Sequence, residues 1–198
     1  MRLSKITVSG FGSYGPTPQT VTFNGAGPCA IVGDNGAGKS TIVSKALTWC
    51  LYGKTTPERM GSGTRAITGK AVMNPLCDEA VVGVMLANGV EEYEIVRTRR
   101  KTGSDVLVIK VRGDHREESL DPTEATIGSI VGADYFVFTR TVVRGQGDLW
   151  SFSEATDKAK RELLDIVSGA FVLAEAETRA KAIQKAAAAK ASQYEMLE

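Results

Sequence analysis

Gly33-Asp34-Asn35-Gly36-Ala37-Gly38-Lys39-Ser40 is the stretch on which the fold turns. A glycine, four residues and then Gly-Lys-Ser is the pattern of a phosphate-binding loop. Gly33, Gly36 and Gly38 let the chain curl with no Cβ in the way. Successive backbone N–H groups from Asn35 through Gly36, Ala37 and Gly38 to Lys39 can then wrap a β-phosphate, while the helix that follows points its positive end at it. The Lys39 ammonium suits the β- and γ-phosphates, the Ser40 hydroxyl suits Mg²⁺, and Thr41 can reach an α-phosphate. These residues indicate a nucleoside triphosphate and leave ATP and GTP equally open.

The flanks supply the context such a loop requires. Cys29-Ala30-Ile31-Val32 reads as a short buried strand, the third of the chain after strands at 3–8 (ended by Gly10) and 19–23. Downstream, Ile42, Val43, Ala46, Leu47, Cys50 and Leu51 form a helical stripe over 39–52. The polar run 53–75 reads as a long surface loop. Strand patterns at 80–87, 93–100 and 106–112 follow, separated by the turns Asn88-Gly89 and Thr102-Gly103-Ser104, and predict an antiparallel meander. A short helix is expected over 123–131 and an apolar, β-branched strand over 135–143. Ser153 can cap a helix running to about Val167 that ends at Gly169. From Ala170 to Glu198 there is neither Gly nor Pro, and Leu173, Ala176, Ala180, Ile183, Ala187, Lys190, Tyr194 and Leu197 mark a heptad seam, poor in that it is mostly alanine; a single amphipathic helix packed on its own domain is the alternative.

The totals agree with a globular protein. The 198 residues are 42% hydrophobic and 24% charged, with a formal net charge of +1, so any nucleic-acid surface must be a local patch. Cys29, Cys50 and Cys77 have no metal-like spacing, and buried thiols in a reducing cytoplasm are the expected reading. No apolar run reaches the ~18 residues of a membrane span, and Met1-Arg2-Leu3-Ser4-Lys5 enters a strand without a signal sequence.

Four features in order resemble the SbcC branch of the SMC-like ABC ATPases, the large subunit of a double-strand-break repair exonuclease. Ile6 to Tyr14, reading ITVSGFGSY, is similar to the family's opening strand and its F-x-S-F/Y element. The phosphate loop with Ala46-Leu47 and Leu51-Tyr52-Gly53 resembles G-x-N-G-x-G-K-S followed by A-L…L-Y-G. Phe138 to Asp148, FTRTVVRGQGD, resembles the strand and Q-loop of that family, and 155–169 the R-x-x-L-L-x-x-L-x-G helix before its coiled coil. The resemblance implies an α/β P-loop lobe of ABC/SMC type with an antiparallel meander and the start of a coiled coil, divided as 1–169 and 170–198. It implies ATP with Mg²⁺ as cofactor, and Lys39 and Gln146 as the catalytic pair. Gln146 would meet the metal or the attacking water, for which an amide is suited. Ser13 is a candidate polar contact near the nucleotide. Gly12 stands where the family often has Arg or Lys, so that charge is not expected here.

A Walker B strand, an L-S-G-G signature, a D-loop and a switch histidine are not found after Gln146, and His115 reads as a solvated turn residue. The expectation is therefore an N-terminal lobe that binds ATP and does not hydrolyse it alone. Its partners would be a C-terminal lobe of the same protein, a second head in an ATP-dependent homodimer, an SbcD-type nuclease and double-stranded DNA, with no membrane. Arg97, Arg99, Arg100 and Lys101, with Lys110, Arg112 and Arg116, concentrate on the meander and are the candidate DNA contacts; Arg59, Arg65 and Lys70 are a second group. A chromosome-condensing clamp without nuclease is a rival reading. A small P-loop kinase or GTPase is another, although no Asn-Lys-x-Asp is present.

Overall fold

The computed structural model describes residues 1–25, 27–60, 63–113 and 116–143, together with 156, 157, 160, 161, 164, 168, 180 and 184. The chain falls into two units, Met1–Leu149 and Trp150–Glu198. The expected coiled-coil seam and the helix capped by Ser153 lie, apart from scattered positions, outside the described residues.

The first unit is a mixed α/β structure on one antiparallel sheet. Strands β1 (Arg2–Ser9) and β2 (Gln19–Thr22) open it. A π-helical turn, Thr41–Ala46, runs directly into helix α1, Leu47–Tyr52. A two-stranded hairpin, β3 (Glu58–Met60) and β4 (Gly63–Arg65), follows, then β5 (Glu79–Ala87), β6 (Glu92–Arg100), β7 (Val106–Gly113) and β8 (Arg116–Leu120). Helix α2 is Glu124–Val131; helix α3, Tyr135–Val137, continues as a π-helical turn through Phe138–Val142. The six-stranded sheet has the order β2-β1-β5-β6-β7-β8. The expected meander is therefore present with a fourth strand, β8, added at its edge.

Alternation decides which face is buried. Val21, Ile6, Val84, Ile95, Ile109 and Leu120 are paired in one row across all six strands. Val8, Val82, Arg97 and Leu107 form a second row beside it. The helix that follows the phosphate loop lies on this face. Trp49 is fully buried, with its ring 5.2 Å from that of Phe11. The Cys50 thiol sits 3.2 Å from the Val82 carbonyl and 3.4 Å from that of Ile95, deep enough for burial to push its pKa up to about 12.

Three expectations are corrected. Residues 135–142 of the expected strand 135–143 are helical, because Asp134 caps the Val137 N–H at 2.8 Å and the residues turned toward the core, Tyr135, Phe138 and Thr139, are spaced three and four apart, a helical period. Segment 29–32 joins no strand among the described residues, where both edges of β1 are taken by β2 and β5. The polar run 53–75 is not a simple loop. It holds the β3–β4 hairpin, ties Thr55 to Ile67, and places Glu58 2.7 Å from Lys45 of the π-helical turn.

Of the cysteines, Cys50 and Cys77 are buried and Cys29 is exposed. Among the described residues, no helix is long and apolar enough to cross a membrane, and no group of three or more His, Cys, Asp or Glu residues could hold a metal ion.

Candidate functional site

The loop 33–40 follows segment 29–32 and curls through Gly36 and Gly38 at φ 83° and 84°, values that favour glycine. A Cβ at Gly36 would meet nothing within 4 Å, and the loop faces solvent. The Ala37 N–H donates to the Asp34 carbonyl at 3.2 Å, and the Ile42 N–H to the Gly38 carbonyl at 3.0 Å, which starts the helix. Lys39 folds back, its Nζ donating to the Gly33 and Asp34 carbonyls at 2.6 Å each. The ammonium thus bridges the mouth of the loop, held by neutral acceptors that an anion could replace. The Ser40 hydroxyl makes no cap bond to the helix behind it and is exposed. The Ser40 carbonyl, in contrast, is tied down by the Ser44 hydroxyl at 2.7 Å.

Such a loop, with its peptides exposed, a lysine at its mouth and a serine hydroxyl on its rim, has the donor set for a Mg²⁺-bound triphosphate. Thr41 is half-buried beside it. Ser13 is exposed in the neighbouring turn. Gln146 lies outside the described residues. Gly12 has φ 58°, and a Cβ there would fall 3.0 Å from the Thr41 Cγ2. An arginine or lysine at this position would strain the backbone and press on the helix start, which gives its glycine a physical reason.

The basic residues of β6 do not form one surface. Arg97 is 8% exposed; its Nε donates to the Cys50 carbonyl at 2.9 Å and its Nη2 to the Leu51 carbonyl at 3.0 Å. It therefore caps the C-terminal end of α1, where the carbonyls carry negative partial charge. Arg97 is removed from the candidate DNA contacts for this reason. Arg99 is largely enclosed and pairs with Asp105 at 3.1 Å. Arg100 and Lys101 remain at the surface, paired with Glu79 and Asp78 at 3.4 and 2.7 Å. Lys110 and Arg112 share Glu117, and Arg116 pairs with Glu118. Arg65 and Lys70 stand on the segment after α1, where a Cβ on Gly69, next to Lys70, would lie 4.0 Å from the Arg99 Nη2; the Arg59 side chain lies outside the described residues. The alternation that puts Arg97 in register with Tyr93 and Ile95 was the available signal, since a residue two places from a buried isoleucine points inward.

An apolar cavity of about 840 Å³ opens beside the loop, with Lys39 and Ser40 at one end and Ile31, Val43, Leu47, Leu86, Phe138 and Val142 among its walls. Val32, next to it in sequence, is 91% exposed.

A family model described as AAA domain matches residues 5–198. The chain is 28% identical over 168 residues to the probable DNA double-strand break repair Rad50 ATPase of Aquifex aeolicus, covering 84% of this chain and 16% of that protein. It is 28% identical over 182 residues to the SbcC component of nuclease SbcCD of Deinococcus radiodurans, covering 85% and 18%. Against the chromosome partition protein Smc of Aquifex aeolicus it is 29% identical over 172 residues, covering 84% and 14%. The chain thus spans between 14% and 18% of the length of these relatives.

Proposed function

Because the chain belongs to the AAA domain family, we propose that it is the ATP-binding N-terminal lobe of a DNA repair and recombination ATPase that gates a partner nuclease at DNA ends. The observation that carries this reading is the phosphate loop itself, glycines at positive φ with Lys39 at its mouth, at the start of a helix fixed to a rigid sheet. The Rad50 and SbcC names among the relatives favour DNA-end repair over other uses of such a loop.

Mg²⁺-ATP would supply a charged triphosphate and, on cleavage, the free energy of the cycle. The chain's part is to hold and orient. The N–H groups from Asn35 to Lys39 would cradle the phosphates, Lys39 would give up its two carbonyl partners for phosphate oxygens, the Ser40 hydroxyl would hold the metal and Thr41 would serve the α-phosphate. Gln146 is assigned to the metal or the attacking water, and Ser13 to a peripheral polar contact. We place the lobe at 1–169 and the beginning of a coiled coil at 170–198, in a protein of the cytoplasm.

Hydrolysis needs more than these residues. The uncovered segment 29–32 and the apolar cavity beside the loop support a C-terminal lobe that adds strands here and supplies the acidic base. A second head would close on the nucleotide, and an SbcD-type nuclease would act on double-stranded DNA. The likeness to Smc favours one rival, a DNA clamp without nuclease.

The test is reconstitution. The chain is mixed with a separately made C-terminal half, and ATP turnover and nuclease activity on blunt duplexes are followed with the cognate nuclease subunit present. Turnover in the mixture and not in either half, with cleavage dependent on ATP and lost in Lys39→Ala, is the expected result. Full turnover by the 198-residue chain alone would contradict the division of labour. ATP-dependent DNA binding with no bound nuclease would favour the clamp.

A further inference from the structure

We propose that Tyr14 is a positioning residue for the phosphate loop, holding the Gly38–Lys39 peptide so that the Lys39 N–H points into the phosphate cradle. This rests on the reading of 33–40 as a phosphate site. The Tyr14 hydroxyl donates to the Gly38 carbonyl at 3.1 Å, and the Ile42 N–H donates to the same oxygen at 3.0 Å. In a trans peptide the C=O and the following N–H point in opposite directions. Two donors that fix the Gly38 oxygen toward Tyr14 and the helix therefore fix the Lys39 N–H toward the opposite side, the mouth of the loop.

The ring contributes as well as the hydroxyl. A Cβ on Gly38 would lie 3.0 Å from the Cε2, Cζ and hydroxyl atoms of Tyr14, so the aromatic ring packs flush on the glycine at φ 84°. The phenol is half-buried, and burial raises its pKa, so it remains a donor at neutral pH.

Tyr14 is itself held from several sides. Its N–H donates to the Phe11 carbonyl at 2.9 Å, and Gly10 N–H to the Gly15 carbonyl at 2.8 Å, closing the turn. Gly12 N–H reaches the Val72 carbonyl and Asn74 N–H the Gly10 carbonyl, each at 2.8 Å. Gly10 approaches β5 so closely that a Cβ would sit 1.9 Å from the Glu79 carbonyl oxygen. Phe11 then anchors the turn against Trp49. The turn is thus clamped to the sheet, and Tyr14 passes that rigidity to one peptide of an otherwise exposed loop.

The experiment uses the chain with Tyr14→Phe, Tyr14→Ala and Lys39→Ala, titrated by calorimetry with MgATP and with magnesium tripolyphosphate, which has no base or sugar. Tyr14→Phe should weaken both ligands alike, by about fivefold, the usual worth of one hydrogen bond. Tyr14→Ala should weaken both further. The Lys39 amide resonance should shift in ligand-free Tyr14→Phe while its melting temperature holds, which a purely structural role would not produce. Unchanged affinity for both ligands in Tyr14→Phe overturns the proposal. So does a loss confined to MgATP, which would make the ring a platform for the base. If Lys39→Ala also binds tripolyphosphate as well as the parent chain, the phosphate-site reading fails instead.

Discussion

The sheet with helix α1 and the segment leading into the phosphate loop are neighbours that reach opposite outcomes. Across the sheet, each strand finds a ladder partner and one face is sealed by Trp49, Cys50 and Leu51. Even the end of α1 is closed, its last carbonyls taken by Arg97 from β6. Segment 29–32 has equally apolar residues, yet Val32 is 91% exposed and no strand among the described residues pairs with it. The difference is one of partners and not of composition. A β-branched run becomes a buried strand only when a second element lies alongside, because its N–H and C=O groups must be paired before its side chains can be covered. A fully paired sheet and an unpaired, exposed segment thus adjoin, and the phosphate loop follows the second.

The largest effect expected from this contrast is at Arg97. Arg97→Ala leaves two helix-end carbonyls orphaned in an enclosed site and should cost about 2–5 kcal/mol in chemical denaturation, at roughly 1–3 kcal/mol for each unsatisfied group. A loss under about 1 kcal/mol would mean that the helix does not depend on its grip. Thiol chemistry gives the next contrast. At pH 8, Cys29 should react with a maleimide at least about a hundredfold faster than Cys50, which is buried and kept protonated by a pKa raised to about 12. Equal rates would show that helix α1 opens as readily as the exposed segment.

Smaller effects are expected on DNA. In a reconstituted head, Arg100→Glu with Lys101→Glu should flatten the log–log salt dependence of duplex binding by roughly one to two units, while changes confined to Arg99 should leave the slope alone. An unchanged slope for the double variant would turn attention to Arg65 and Lys70. The smallest effect should come from Val32→Asp. It should alter the stability of the chain itself by no more than about 0.5 kcal/mol, yet abolish association with the C-terminal half. A large loss in the isolated chain would mean that Val32 is already covered.

Much of this fold was legible because hydrophobic alternation and turn residues act locally. Ile6 and Val8, Val82 and Val84, and Ile95 and Ile109 announce inward faces by period alone, and Asn88-Gly89 announces its hairpin. What escaped depends on neighbours. The β-branched composition of 135–143 argued for a strand, while Asp134 and the spacing of Tyr135, Phe138 and Thr139 made a helix. Arg97 was read by its charge, although its register with Ile95 turned it inward. Tyr14 was read as part of a resemblance, and its packing on Gly38 depends on a turn closed by Val72 and Asn74, some sixty residues away in sequence and beyond any local pattern. In the phosphate site the loop and the lysine are visible in sequence because eight consecutive residues do the work.

The most direct measurement is a calorimetric titration of MgATP into the 198-residue chain beside Lys39→Ala, with melting curves for both. The account predicts one site per chain, dependent on Mg²⁺, and a loss of about a hundredfold or more in affinity on removing the lysine. The melting temperature without nucleotide should be unchanged, since among the described residues Lys39 bonds to the Gly33 and Asp34 carbonyls of its own loop. A folded Lys39→Ala chain that binds MgATP as tightly as its parent would contradict the central claim.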